Sequence, residues 1–375
     1  MKRRDFLGLA LAAATVAGWP RRAEAQRRTL LVVELVGGND GLNTFIPYRD
    51  SNYSRLRPQL AIADGLPVSD RTALHPALAP LMPLFGAGQM AVVQNVGYPN
   101  PNLSHFRSRD IWLSGRPEGR ADSGWLARAL AGGNYGEAVF VGEEYPLALL
   151  GENDERFLQV SAGLLRRANR SLEQAIATLY TTPQSFPGER VRQAVQESWQ
   201  ALTQLQQEAQ GRSQNHGYPN GAIGQQLALV GRILETQPQV VYTTVGGWDT
   251  HTNQRQRHQN LLSQLAESLA ALQRHLAAQG QQNHVLTLIH SEFGRRPAEN
   301  GGGGTDHGTA GGVVLLGPVR GGLYGGEPAL DALVNGNLPV VVDYRRIWGE
   351  VLARWLGVPV AAVLGQDWPP VGVLG

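Results

Sequence analysis

Short apolar runs alternate with amphipathic stretches along most of the 375-residue chain. Leu30 to Val36 is almost continuously apolar and stops at Gly37-Gly38. That pattern predicts a strand buried on both faces, with a loop at its carboxyl end. "MAVVQNVG", "PQVVYTTVGG" and "HVLTLIHSEFG" have the same character, and "AVFVG", "LALLG", "GGVVLLG" and "LPVVVDY" are shorter strand candidates. Between them the period becomes helical. Leu74, Leu78, Leu81 and Leu84 share one face, as do Leu261, Leu262, Leu265, Leu269, Leu272 and Leu276. "LSHFRSRDIWLSG", starting near Ser104, and "RRIWGEVLARWLG" also read as helices. Alternating strands and helices predict an α/β fold of three αβα layers around a mostly parallel central sheet. No internal repeat is visible.

Two segments fall outside this alternation. Residues 155–235 are polar, rich in Gln and Arg, and helical in period, with Val191, Val195, Trp199, Leu202 and Leu205 in register. They predict a helical cap or insertion, with "GRSQNHGYPNGAIG" as a turn or flexible loop. Residues 1–25 have a basic start, a short apolar stretch and the ending Ala23-Glu24-Ala25. These are the marks of a signal peptide cut before Gln26. Arg3-Arg4 followed by Asp5-Phe6-Leu7 resembles a twin-arginine export signal. An ordinary secretory signal and an uncleaved anchor are the alternatives. The expectation is an exported protein of residues 26–375, periplasmic or extracellular, with no membrane span in the mature chain.

Composition and charge then narrow the chemistry. The chain is 42% hydrophobic and 17% charged, ordinary for a globular protein. Its net charge is +2, but residues 1–25 alone contribute +3, which leaves the remainder near −1. Nucleic acid is therefore not an expected partner. There is no cysteine, so any metal must be held by His, Asp, Glu, Asn or hydroxyls.

In a parallel sheet the site lies beyond the carboxyl ends of the strands. Four predicted ends carry acids or imidazoles: Asp40 in "GGNDG", Asp249 and His251 in "GGWDTH", Glu292 in "SEFGR", and Asp306 with His307 in "GGGGTDHG". Each also has a bland reading. Asn-Asp-Gly is a common turn, Asp249 is a possible helix cap, and four glycines can be a slack loop. Together, however, they gather carboxylates and imidazoles on one sheet edge. That set suits one or two divalent ions, Zn, Mn, Ca or Mg, and also non-haem iron. Ser104, at a predicted helix start, is the candidate nucleophile, since the helix dipole attracts an anionic ester there; it is equally a simple N-cap. Arg107 and Arg295 are candidates to clamp an oxyanion. His105 reads as a donor to substrate or a packed helix residue, with ligation a third option.

"LVGGNDGLNTFIPY", "NLSHFRSRDIW", "GGWDTH" and "SEFGRRPAENGGGGTDHGTAGG", in that order, resemble the DUF1501 family of exported bacterial proteins. The resemblance covers nearly all of the mature chain. That family is similar in fold to the alkaline phosphatase and sulfatase superfamily, whose enzymes cleave phosphate or sulfate esters with a metal-bound nucleophile. The resemblance implies an early metal aspartate at Asp40, a nucleophile at Ser104, and metal ligands at Asp249, His251 and His307. Glu292 stands where the superfamily usually has an Asp-His pair, and Asp249 and His251 are two apart where four is usual. Without cysteine, a formylglycine nucleophile is excluded. The implied function is an exported metal-dependent hydrolase of small-molecule or glycan esters, delivered by the twin-arginine machinery. The alternative is a non-catalytic exported protein on the same fold that binds a metal or a glycan.

Overall fold

The structure is a computed structural model that describes residues 27–118, 121–131, 138–151, 157–160 and 216–375. The segment read as a signal peptide lies outside the described residues, as does most of the segment read as a helical insertion.

The main sheet contains β1 (Thr29–Leu35), β2 (Met90–Gly97), β3 (Ala138–Val141), β4 (Leu158–Val160), β5 (Val240–Val245), β6 (Val285–His290), β7 (Gly311–Leu316), β8 (Gly322–Tyr324) and β9 (Val342–Asp343). Their order is β8-β2-β7-β6-β1-β5-β3-β4, with β9 also paired to β2. β7 runs antiparallel to both of its neighbours, and every other pairing is parallel. Both faces are covered, which is why β1 reads as one apolar run. Leu31, Val33 and Leu35 enter the core under α2 (Ala222–Leu234) and α3 (Gln254–Ala278). Leu30 and Val32 enter the opposite core, with Trp112 of α1 (His105–Ser114) and Trp348 of α4 (Tyr344–Glu350). The three-layer α/β fold is thus observed.

Several local expectations are corrected. The predicted helix through Leu74–Leu84 is a 3-10 turn over Pro76–Leu81 and a short α-helix over Met82–Gly86. Pro76, Pro80 and Pro83 lack the N–H groups that a continuous helix needs. "LALLG" forms a 3-10 turn, Leu147–Leu149, and the Leu150 carbonyl accepts from the Gly124 amide rather than from a strand. "LPVVVDY" supplies only the two residues of β9. At the ends of the 155–235 segment, β4 is a strand of the main sheet and α2 is a core helix.

The strand directions place the site. β1, β5 and β6 are adjacent and parallel, so the loops after Leu35, Val245 and His290 leave from the same edge. Because β7 is antiparallel, its amino end lies at that edge too. The loop preceding β7, with Asp306 and His307, therefore arrives beside the other three.

A candidate metal centre

Tight backbone packing brings the loops together. Gly37 has φ +124°, and a Cβ there would lie 2.3 Å from the Asp249 amide nitrogen. Only glycine lets these two loops touch. Gly304 fills the same role further out, since its Cβ would lie 2.3 Å from the His251 carbonyl carbon. The glycine-rich loop is accordingly ordered. Asn300 accepts from the Gly302 and Gly304 amides and donates to the His251 carbonyl and the Asp306 carboxylate. A two-residue antiparallel pairing, Arg295 opposite His307, fixes the remaining loop.

Three imidazoles and one carboxylate converge on this edge. His105 Nε2 lies 3.5 Å from Asp249 Oδ2, while His251 Nε2 and His307 Nε2 lie 3.1 and 3.3 Å from Asp249 Oδ1. His251 Nε2 and His307 Nε2 are 2.9 Å apart. Candidate ligand atoms of His105, Asp249 and His307 all fall within 4.8 Å of one another. The Asp249 side chain is 47% exposed and the three imidazoles between 20% and 42%, so the cluster is open to solvent on one side.

The opposite nitrogen of each ring is already engaged. His307 Nδ1 meets the Leu103 carbonyl at 2.7 Å, and a carbonyl only accepts, so this nitrogen carries the proton. His105 Nδ1 meets Glu292 Oε1 at 2.7 Å, and His251 Nδ1 meets Asp306 Oδ1 at 3.2 Å. With each Nδ1 donating, the Nε2 lone pairs of His251 and His307 face each other and Asp249 Oδ1, while that of His105 faces Asp249 Oδ2. That arrangement is repulsive unless a metal ion or additional protons stand between them. Ligands about 2.0–2.1 Å from a tetrahedral ion lie about 3.3 Å apart, close to the spacings among His251, His307 and Asp249 and between His105 and Asp249. The donor set of imidazole and carboxylate is that of a transition-metal site, so the residues fit the metal that the family resemblance implies.

The electrostatics differ from group to group. Partial burial works to raise the Asp249 carboxyl, but the Arg295 hydrogen bond and charge outweigh it and hold it at about 2. The Glu292 hydrogen bond pushes the His105 imidazole up, and burial pushes His307 down. Glu292 is buried. Burial opposes its charge, yet His105 and the Gly37 amide keep its carboxyl below the usual range.

A family model described as a protein of unknown function, DUF1501, matches residues 27–334. The chain belongs to the DUF1501 family. No curated protein matches this DUF1501 chain. Among solved structures it is similar to Ps i-CgsB in complex with k-i-k-neocarrahexaose, at 11% identity and a TM-score of 0.46, over 92% of this chain and 75% of that one. It is also similar to the alkaline phosphatase from the Antarctic bacterium TAB5, at 11% identity and a TM-score of 0.36, over 80% and 95%. A third is the C-terminal periplasmic domain of EcEptC from Escherichia coli in complex with Zn, at 11% and 0.34, over 80% and 76%.

Of the residues singled out in the sequence, the structure brings Asp249, His251 and His307 together and leaves three other acids out of the convergence. Asp40 is wholly buried and salt-bridged to Arg57 at 2.7 Å. Glu292 stands behind His105, and Asp306 behind His251. Ser104 is exposed and caps α1 with no side-chain hydrogen bond of its own to the helix. It sits between Leu103, which holds His307, and His105, which enters the cluster. Arg107 donates to the Pro117 carbonyl. Arg295 is buried, donating to the carbonyls of Gly37, Gly38, Trp248 and Thr305 and to Asp249, and is a scaffold for the loops. His105, which as a helix residue reads equally as packing or as a donor to substrate, joins the cluster, and Asn300, Arg57 and Gln254 support it without any sequence signal of their own. "NLSHF" gave one clue, an imidazole one residue after the candidate nucleophile.

Proposed function

We propose that this DUF1501 protein binds a divalent ion through Nε2 of His105, His251 and His307 and the Asp249 carboxylate, and hydrolyses phosphate or sulfate esters with Ser104. The observation that carries the reading is the triple tautomer lock, in which three Nδ1 donors each have an acceptor and three Nε2 atoms face one carboxylate. The acceptors Glu292, Asp306 and the Leu103 carbonyl orient the imidazoles, as outer partners of metal-bound histidines do. A bound ion would supply Lewis acidity toward an ester oxygen and favour the alkoxide of a nearby hydroxyl. The chain's own part is placement. Ser104 presents an exposed hydroxyl at the positive end of a ten-residue helix, one residue from His105. Small-molecule or glycan esters are the proposed substrates, and the part of residues 155–235 outside β4 and α2 the segment that selects among them. Export by the twin-arginine pathway is part of the proposal, resting on Arg3-Arg4 and the Ala23-Glu24-Ala25 ending.

One observation favours a second reading, a non-catalytic metal- or glycan-binding protein. The Arg295 guanidinium is taken up by the loops and does not offer the centre an anion clamp. The test is hydrolysis of a panel of aryl and glycan phosphates and sulfates by metal-loaded protein. The hydrolase reading expects turnover that Ser104→Ala abolishes while the metal stays bound. Turnover surviving in Ser104→Ala removes the nucleophile, and turnover surviving in His307→Ala removes the metal. A glycan bound without turnover supports the second reading.

A further inference from the structure

We infer that the centre takes a single ion, and that Asp40, where the family resemblance implies a metal ligand, instead pairs with Arg57 and acts through Gln254 to position the two ligand loops. The inference rests on the metal-binding reading above and adds its stoichiometry and its anchoring.

Asp40 has no ligand capacity left. Its Oδ1 accepts from the Leu42 and Asn43 amides at 3.1 and 3.3 Å. Its Oδ2 accepts from Arg57 Nη1 at 2.7 Å and from Gln254 Nε2. Arg57 is equally committed, donating to the carbonyls of Pro297 and Arg296 and to Asn43 Oδ1. Both side chains are fully buried. A fixed guanidinium therefore already neutralises this carboxylate, and a further cation would meet like charge in a low-dielectric interior.

Gln254 carries the arrangement outward. Its Oε1 accepts from the hydroxyls of Thr250 and Thr305 at 3.0 and 2.6 Å, which fixes the amide so that Nε2 faces Asp40. Thr250 lies between Asp249 and His251, and Thr305 two residues before His307. One buried amide thus joins both ligand loops to the ion pair. Gln254, Thr250 and Thr305 are themselves completely buried, so water does not compete for these bonds. Asp40 and Gln254 are positioning residues in this account.

The test is metal content by mass spectrometry together with calorimetric titration of the folded protein with Zn(II). The expected result is one ion per chain, and still one in Asp40→Asn. Gln254→Met keeps the side-chain length and removes the bonds. It is expected to retain one ion with a Kd raised about 10–100-fold, the range for lost outer-sphere support. A thermal melt of the apo variant shows whether the change in Kd is separate from a loss of fold. Two ions per chain, one of them lost in Asp40→Asn, would overturn the inference and leave the metal-binding reading standing. An unchanged Kd in Gln254→Met would remove the anchoring role. No bound ion at all would overturn the reading and the inference together. If Asp40→Asn does not fold, the wild-type stoichiometry still decides.

Discussion

Val36-Gly37-Gly38-Asn39-Asp40 and Val245-Gly246-Gly247-Trp248-Asp249 end neighbouring parallel strands with the same Val-Gly-Gly-x-Asp spelling, and the two aspartates finish in opposite environments. Asp40 is fully buried, capping a helical turn and paired with one arginine. Asp249 is half exposed among three imidazoles, with Arg295 behind it. The local sequence sets the turn, and the partners arriving from elsewhere set the role. Arg57 and Gln254 close over one carboxylate, whereas His105 and His307 leave the other facing solvent. One node is a closed, buried ion pair, and the other is an open cluster that the proposed metal would occupy.

The sharpest contrast is in what each node contributes to folding. Arg57→Ala strands a buried carboxylate and should cost about 3–5 kcal/mol in denaturant unfolding. A loss below about 1 kcal/mol would mean that water or rearrangement satisfies Asp40, and the contrast would collapse.

Acid should find the Asp40 side next. His258, bonded to Asn39, is pushed down to about 4 by burial from 6.5, and His75 beside it likewise to about 4. Between those values the unfolded chain binds more protons than the folded one, so stability falls as pH drops from 6.5 toward 4. His258 alone accounts for about 3 kcal/mol of that loss. In His258→Gln, unfolding curves taken across this range should show a shallower decline, with His75 supplying the remaining slope.

On the Asp249 side the effects should appear in metal affinity. Glu292→Gln weakens the grip on His105 Nδ1 and is expected to raise the Kd about 10–100-fold. Equal affinity in this variant would show that the Glu292 charge does not tune His105. The smallest effect is on stability at Ser104, whose side chain makes no bond to its own helix. Ser104→Ala should change unfolding free energy by less than about 0.5 kcal/mol, and a larger loss would identify the hydroxyl as structural.

These nodes also show where the sequence was informative. The buried strands were legible because two-faced burial writes continuous apolar runs, as in β1 and β6. Prolines hid the 3-10 turn at Pro76–Leu81, and a three-residue edge strand at Leu158–Val160 was too short to show a period. Asp249, His251 and His307 were legible because they end strands or precede one at the same edge. The roles of Asp40, Glu292 and Asp306 were not, since an acid in a turn reads the same whether it faces a metal, a histidine or an arginine. His105 was obscured by its helix, where an imidazole has several ordinary uses. Arg295 read as a clamp because the five backbone and side-chain acceptors around it come from three separate loops.

The central claim is that three imidazoles and Asp249 hold one metal between them. X-ray absorption spectroscopy on the zinc-loaded protein tests it most directly. The account predicts a first shell with three imidazole nitrogens and a carboxylate oxygen, and two imidazoles in His105→Ala. A shell with two or fewer imidazoles in the wild type, or one unchanged by His105→Ala, would contradict it.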